Sequence, residues 1–157
     1  MIDLETERRE RGAVVEEARA WLNTPYHHMA AVKGSGVDCA MILREVYGNS
    51  VFPEYKDIQI EHYPPDWHMH RDDERYLDIV RQYAGEVDEP EPGDIVVVRY
   101  GRAFSHGGIV VQWPLCIHAY VSAGCVTLED FEANKEIWGR PMKFFSPWEK
   151  DKCNGIG

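Results

Sequence analysis

Cys39 stands where a nucleophile would stand. It follows a glycine-rich loop, Lys33-Gly34-Ser35-Gly36, and then Val37-Asp38, and it opens the apolar run Ala40-Met41-Ile42-Leu43. A thiol in the first turn of a helix feels the positive end of the macrodipole, which favours the thiolate that attacks carbonyls. Such a nucleophile needs a base, and two histidines have suitable surroundings. Ser105-His106-Gly107-Gly108-Ile109 puts His106 at the start of a strand, with two glycines after it that let backbone or substrate approach closely. Ile117-His118-Ala119 puts His118 inside the next strand. Their separation suits adjacent antiparallel strands joined at Trp113-Pro114, where the two imidazoles are neighbours across the ladder. A cysteine hydrolase needs a base to take the thiol proton and return it to the leaving amine, and a third polar group to orient that base. Cys39, His106 and His118 fill those places in that order.

The elements that must position these residues are legible from periodicity. Val14, Val15, Ala18, Trp21 and Leu22 recur at helical spacing, which predicts a helix over 5–22 that Thr24-Pro25 ends. A loop over 26–36 leads to a second helix over 38–47, stopped by Gly48-Asn49. Residues 49–71 read as an irregular excursion rich in Pro, Tyr, His and Asp, and 72–83 as a third helix closed by Gly85. The character then changes. Pro92-Gly93-Asp94 is a turn before the buried strand Ile95-Val96-Val97-Val98. Strands follow over 106–111 and 115–121, with weaker patterns at 126–128 and 142–145. Helices first and strands second predict an α+β domain, its N-terminal helices packed on a small C-terminal antiparallel sheet. Neither a repeat nor a linker divides residues 1–157, so a single domain is expected.

Bulk properties exclude more than they name. A net charge of −10 disfavours nucleic acid and anionic membrane surfaces. No run approaches a membrane span. The charged start, Met1 to Glu10, has no apolar core of a signal peptide, so a cytoplasmic product is expected, unless it leaves by lysis or on a larger assembly. The four cysteines show no CxxC pairing, against a common structural zinc site, and Cys116 and Cys125 read as small buried hydrophobes on strands. His62, His68 and His70, with Asp66 and Asp72, have a metal-like composition, but in a proline-rich segment a solvated loop over the cleft is the simpler reading. The acidic run 86–91 is likewise most simply a solvated loop. No metal or cofactor is expected.

Five short motifs carry a family resemblance. Trp21-Leu22-Asn23-Thr24-Pro25-Tyr26, Asp38-Cys39, Pro92-Gly93-Asp94-Ile95-Val96, Ser105-His106-Gly107-Gly108-Ile109-Val110-Val111 and Ile117-His118-Ala119 occur in an order that resembles the NlpC family of papain-like cysteine peptidases. The match spans about residues 14 to 121. The resemblance implies a papain-like α+β fold and cleavage of amide bonds in peptidoglycan stem peptides, commonly beside a D-γ-glutamyl unit. It implies that Cys39 is the nucleophile, His106 the base and His118 the third polar residue. By the same resemblance Tyr26 lines the cleft and hydrogen-bonds near the nucleophile, and Asp38 helps hold a substrate amine. The Thr-Pro-Tyr approach and the Lys33-Gly34 loop look most like phage-associated members, which makes phage tail proteins candidate partners and a virion-associated location an alternative.

Two departures bear on function. The family usually shows Asp-Cys-Ser-Gly, whereas Ala40 and Met41 follow Cys39 here, and His27-His28-Met29-Ala30 replaces the usual Gly-Gly after the tyrosine. Ala40 and Met41, with the missing signal peptide, motivate a second reading, a phage tail-assembly or structural module with little or no activity; because one triad serves several acyl transfers, amide or acyl chemistry on a small non-wall substrate is a third. Residue by residue, plainer readings stand beside these. A buried structural thiol suits Cys39, a hydrogen-bonded core histidine suits His118, and a packing residue suits Tyr26.

Overall fold

Helix α1, Leu4–Ala20, starts where Asp3 accepts the Thr6 backbone N–H at 2.8 Å. It buries Val14, Val15 and Ala18 along one stripe, and Trp21 follows it into the core. The computed structural model describes residues 2–60 and 74–150. Beyond α1 the predicted loop over 26–36 contains a small antiparallel hairpin, β1 (Ala31–Val32) with β2 (Gly36–Val37). Helix α2, Met41–Asn49, packs Met41, Ile42, Val46 and Tyr47 into the same core as α1. Helix α3, Arg75–Tyr83, adds Tyr76, Leu77 and Val80. The metal-like residues His62, Asp66, His68, His70 and Asp72 lie outside the described residues.

The C-terminal half is one antiparallel sheet. Its strands are β3 (Gly85–Val87), β4 (Ile95–Tyr100), β5 (Ala103–Gln112), β6 (Leu115–Tyr120), β7 (Cys125–Asp130) and β8 (Met142–Ser146), in spatial order β3-β8-β4-β5-β6-β7. This is the expected α+β class, with the helices first. Because side chains alternate along a strand, the sheet carries two apolar faces. Ile95, Val97, Ile109, Ile117 and Ala119 meet the helices, while Val96, Val98, Val110 and Cys116 pack with Phe131 and Ile137 on the other side.

Three differences from the sequence reading concern the site. Gly85 opens β3 and does not merely close α3, so part of the acidic run is paired to β8. β5 begins at Ala103, because a tight turn at Gly101-Arg102 pairs Tyr100 with Ala103, and His106 therefore sits inside the strand. α2 is regular from Met41, so Cys39 lies just ahead of it, in the turn that the Ile42 N–H closes onto the Asp38 carbonyl at 3.1 Å. Among the described residues no helix is long and apolar enough to cross a membrane.

Candidate active site

Asp38 determines how the chain enters α2. Its side chain is 1% exposed. One carboxylate oxygen accepts the N–H groups of Ala40 (3.2 Å) and Met41 (2.9 Å), which otherwise have no partner in a helix's first turn. The other accepts the Met29 N–H at 2.7 Å, across the loop that follows Tyr26. The backbone thereby fixes both oxygens, and Asp38 holds Cys39 in place from behind.

Cys39 is gripped from three sides. Its thiol donates to the Ser105 carbonyl at 3.6 Å, the residue just before His106 on β5. The Tyr76 hydroxyl of α3 donates to the Cys39 carbonyl at 2.9 Å. The Tyr26 hydroxyl hydrogen-bonds the thiol itself. Tyr26 is placed by bridges that join its segment to two others, Pro25 to Cys125 of β7 and Tyr26 to Val37 of β2. Sequence reasoning missed Tyr76, and its trace lies in Gly107. A Cβ at Gly107 would collide with the Tyr76 hydroxyl, and one at Gly108 would come within 3.1 Å of the His118 Cβ. The Gly-Gly pair thus admits one side chain on each face of β5.

The histidines meet as their spacing predicts. Ile109 pairs with Ile117 across β5 and β6, so His106 and His118 are diagonal neighbours on one face. Their rings join at 2.8 Å, His106 Nε2 to His118 Nδ1. The line continues onto β7, where His118 Nε2 meets Glu129 Oε2 at 2.6 Å, also on the diagonal. Asn134 Nδ2 donates to the same oxygen at 3.4 Å. Tyr120 stacks on His118 at 4.6 Å between ring centres and Phe131 closes its other side at 4.8 Å. Glu129 was not identified from the sequence, because the pattern at 126–128 stops one residue short of it.

A cavity of about 610 Å³ opens beside these groups, with Tyr26, Cys39, Ala40, Tyr76, His106 and Glu136 among its walls. Asp38 and His118 do not line it. Met41 points into the core at 6% exposure, so of the two residues after Cys39 only Ala40 faces the cavity.

Electrostatics set the resting protonation. Burial, and secondarily Asp38, push the Cys39 thiol up to about 12, against the hydrogen bonds from Tyr26, Gly107 and its own N–H. This corrects the expectation of a thiolate favoured at a helix start. The helix begins two residues later, and desolvation beside a carboxylate outweighs the peptide dipoles. Burial and then His118 hold His106 well below the ordinary histidine range, with Glu136 opposing. Burial likewise takes His118 down to about 3. Tyr26 is raised by burial and by Cys39 and Asp38, so its hydroxyl stays a donor. The resting site is therefore a neutral thiol facing the same cavity as a neutral imidazole. Among the described residues no cluster of His, Cys, Asp or Glu has the geometry to hold a metal ion.

Helices ahead of a six-stranded antiparallel sheet, with a cysteine before α2 and two histidines on adjacent strands, define an α+β fold of the papain-like class. Solved structures place that fold more narrowly. NlpC1 from Trichomonas vaginalis is similar with a TM-score of 0.61 and 16% identity, over 87% of this chain and 43% of that one. The peptidoglycan hydrolase RipB from Mycobacterium tuberculosis is similar with a TM-score of 0.60 and 17% identity, over 93% of this chain and 68% of that one. The NlpC/p60 domain of the peptidoglycan hydrolase SagA has a TM-score of 0.55 and 18% identity, over 85% of this chain and 96% of that one. The chain spans less than half the length of the two Trichomonas proteins, 43% of NlpC1 and 46% of NlpC2. At these identities the likeness is one of fold. No family model matches the sequence, and no curated protein matches it.

Proposed function

We propose that this protein is a cysteine hydrolase that cleaves amide bonds in peptidoglycan stem peptides. The observation that carries the proposal is the convergence on one cavity of Cys39, Tyr26 and His106, with His106 hydrogen-bonded to His118 behind it. The wall-hydrolase substrate draws support from the fold shared with RipB and SagA. Cys39 Sγ attacks the peptide carbonyl carbon as His106 takes the thiol proton. The Cys39 N–H and the Tyr26 hydroxyl donate to the oxyanion. His106 then gives its proton to the leaving amine, the C–N bond breaks, and a thioester remains on Cys39. Water attacks the thioester, His106 takes the water proton, and that proton returns to the departing sulfur as the acid is released. Asp38, whose oxygens accept backbone N–H groups, positions Cys39 in this scheme.

The test is release of stem-peptide fragments from purified peptidoglycan by wild type and by Cys39→Ala. The expected result is release by wild type alone. Equal release by the variant would sink the proposal.

A second reading keeps the fold as a phage tail-assembly or structural module without turnover. The thiol pushed up to about 12 favours it. Alkylation separates the two readings, because a working pair makes Cys39 react with iodoacetamide at neutral pH in a His106-dependent manner. A Cys39 inert below pH 9 in wild type supports the structural module.

A further inference from the structure

We infer that Glu129 is a positioning residue that sets, through His118, which nitrogen of His106 carries the proton. The hydrogen bond from His118 Nε2 to Glu129 Oε2 is 2.6 Å long, and the contact between His118 Nδ1 and His106 Nε2 is 2.8 Å. A carboxylate can only accept, so His118 must donate from Nε2. Neutral His118 then has a bare Nδ1, and His106 must donate to it from Nε2. Neutral His106 is left with Nδ1 bare, and that nitrogen alone is free to take the thiol proton. Without the carboxylate, two neutral imidazoles satisfy their mutual bond equally well in the opposite sense. In that sense His106 carries a proton on Nδ1 and has no base to offer.

The fold holds the relay in this order. His118 is fully buried between Tyr120 and Phe131, so its ring cannot turn to exchange its two nitrogens without disturbing both. Glu129 is 29% exposed, which keeps its carboxylate partly solvated, and Asn134 donates to the same oxygen. Burial and Glu136 raise the Glu129 carboxyl, whereas Asn134 lowers it. When a proton arrives on His106 Nδ1, Glu129 lies at the far end of the line to balance the positive charge. The ring neighbours of His118, namely His106, Tyr120 and Phe131, are neutral, so the directing charge comes from Glu129 on β7.

The kinetic part of this inference rests on the hydrolase reading; the tautomer part does not. The ¹⁵N spectrum of histidine-labelled protein at pH 7 should show the Nε2–H form for both His106 and His118. Glu129→Leu should convert a measurable fraction of both rings to Nδ1–H. It should also slow Cys39 alkylation at pH 7 by about 10-fold or more, while circular dichroism and Tm report that the domain remains folded. On a peptidoglycan substrate kcat should fall by between about 10-fold and 10⁴-fold, with KM nearly unchanged. Glu129→Asp should restore part of both rates, because it keeps the charge. A wild-type spectrum with His118 protonated on Nδ1, or a Glu129→Leu protein with wild-type tautomers and alkylation, overturns the inference. If wild type has no activity but the tautomers follow Glu129, the hydrolase reading fails and the relay stands. If Glu129→Leu does not fold, Glu129→Met, which keeps the length of the side chain but removes the oxygen acceptor, gives the same spectral readout.

Discussion

The Cys39 thiol is neutral at rest because burial and Asp38 both oppose its charge; in the proposed hydrolase it would ionise by passing its proton to His106. The donor that most directly favours the sulfur anion is the Tyr26 hydroxyl. Tyr26→Phe should therefore lower kcat by about 10²-fold to 10³-fold with little change in KM, measured on a soluble stem peptide. A second consequence concerns stability against pH. His106 and His118 are held neutral in the folded protein, His118 down to about 3, while in the unfolded chain each titrates at 6.5. Below pH 6.5 the unfolded chain binds protons that the folded protein refuses, so stability is full above that pH and falls as pH drops. The loss is up to about 1.4 kcal/mol per pH unit for each histidine. The Glu129 carboxylate at 2.6 Å softens it for His118. Tm should fall between pH 7 and pH 5, and His118→Asn should flatten that slope. A slope unchanged in the variant would remove His118 from the account.

At the scale of elements, β5 is the member everything else is fitted to. It contributes the Ser105 carbonyl to the thiol, the His106 ring to the relay, and two glycines through which α3 and β6 approach. Gly107→Ala should push the Tyr76 hydroxyl off the Cys39 carbonyl and cost about 1–3 kcal/mol of stability by overpacking. Activity should fall more than Tyr76→Phe alone lowers it, since the ring and not only the hydroxyl must move. Urea unfolding with parallel turnover measurements checks both parts.

For the whole molecule, a buried ion pair adds a polar tie to the apolar core that joins the helical half to the sheet. Arg11 of α1 donates to Asp94 at 2.7 Å, to the Pro92 carbonyl at 3.0 Å and to the Ser146 hydroxyl of β8 at 3.2 Å. Asp94 is 1% exposed, and burial raises its carboxyl while Arg11 opposes the rise. Arg11→Met leaves that carboxylate buried without its cation and should destabilise the protein by about 3–5 kcal/mol in urea titration. An effect below about 1 kcal/mol would show the pair to be dispensable. The Pro-Gly-Asp turn singled out in the sequence is thus the site where α1 clasps the sheet.

Local pattern by itself determined the helices before the strands, the long apolar run of β4, and the placing of His106 and His118 one hairpin apart. Each depends on periodicity or on residues close in sequence, where backbone geometry leaves few alternatives. Only the tertiary structure decided three things. It placed the regular turns of α2 from Met41 onward, past Cys39, with the Asp38 carboxylate capping the Ala40 and Met41 N–H groups. It brought Tyr76 to the Cys39 carbonyl from 37 residues away, a contact no local spacing encodes. And it set Glu129 behind His118, because register between β6 and β7 follows from how the sheet packs around Phe131, not from the few residues that mark the strand. The protonation of Cys39 belongs with these, since burial is a property of everything folded around the thiol.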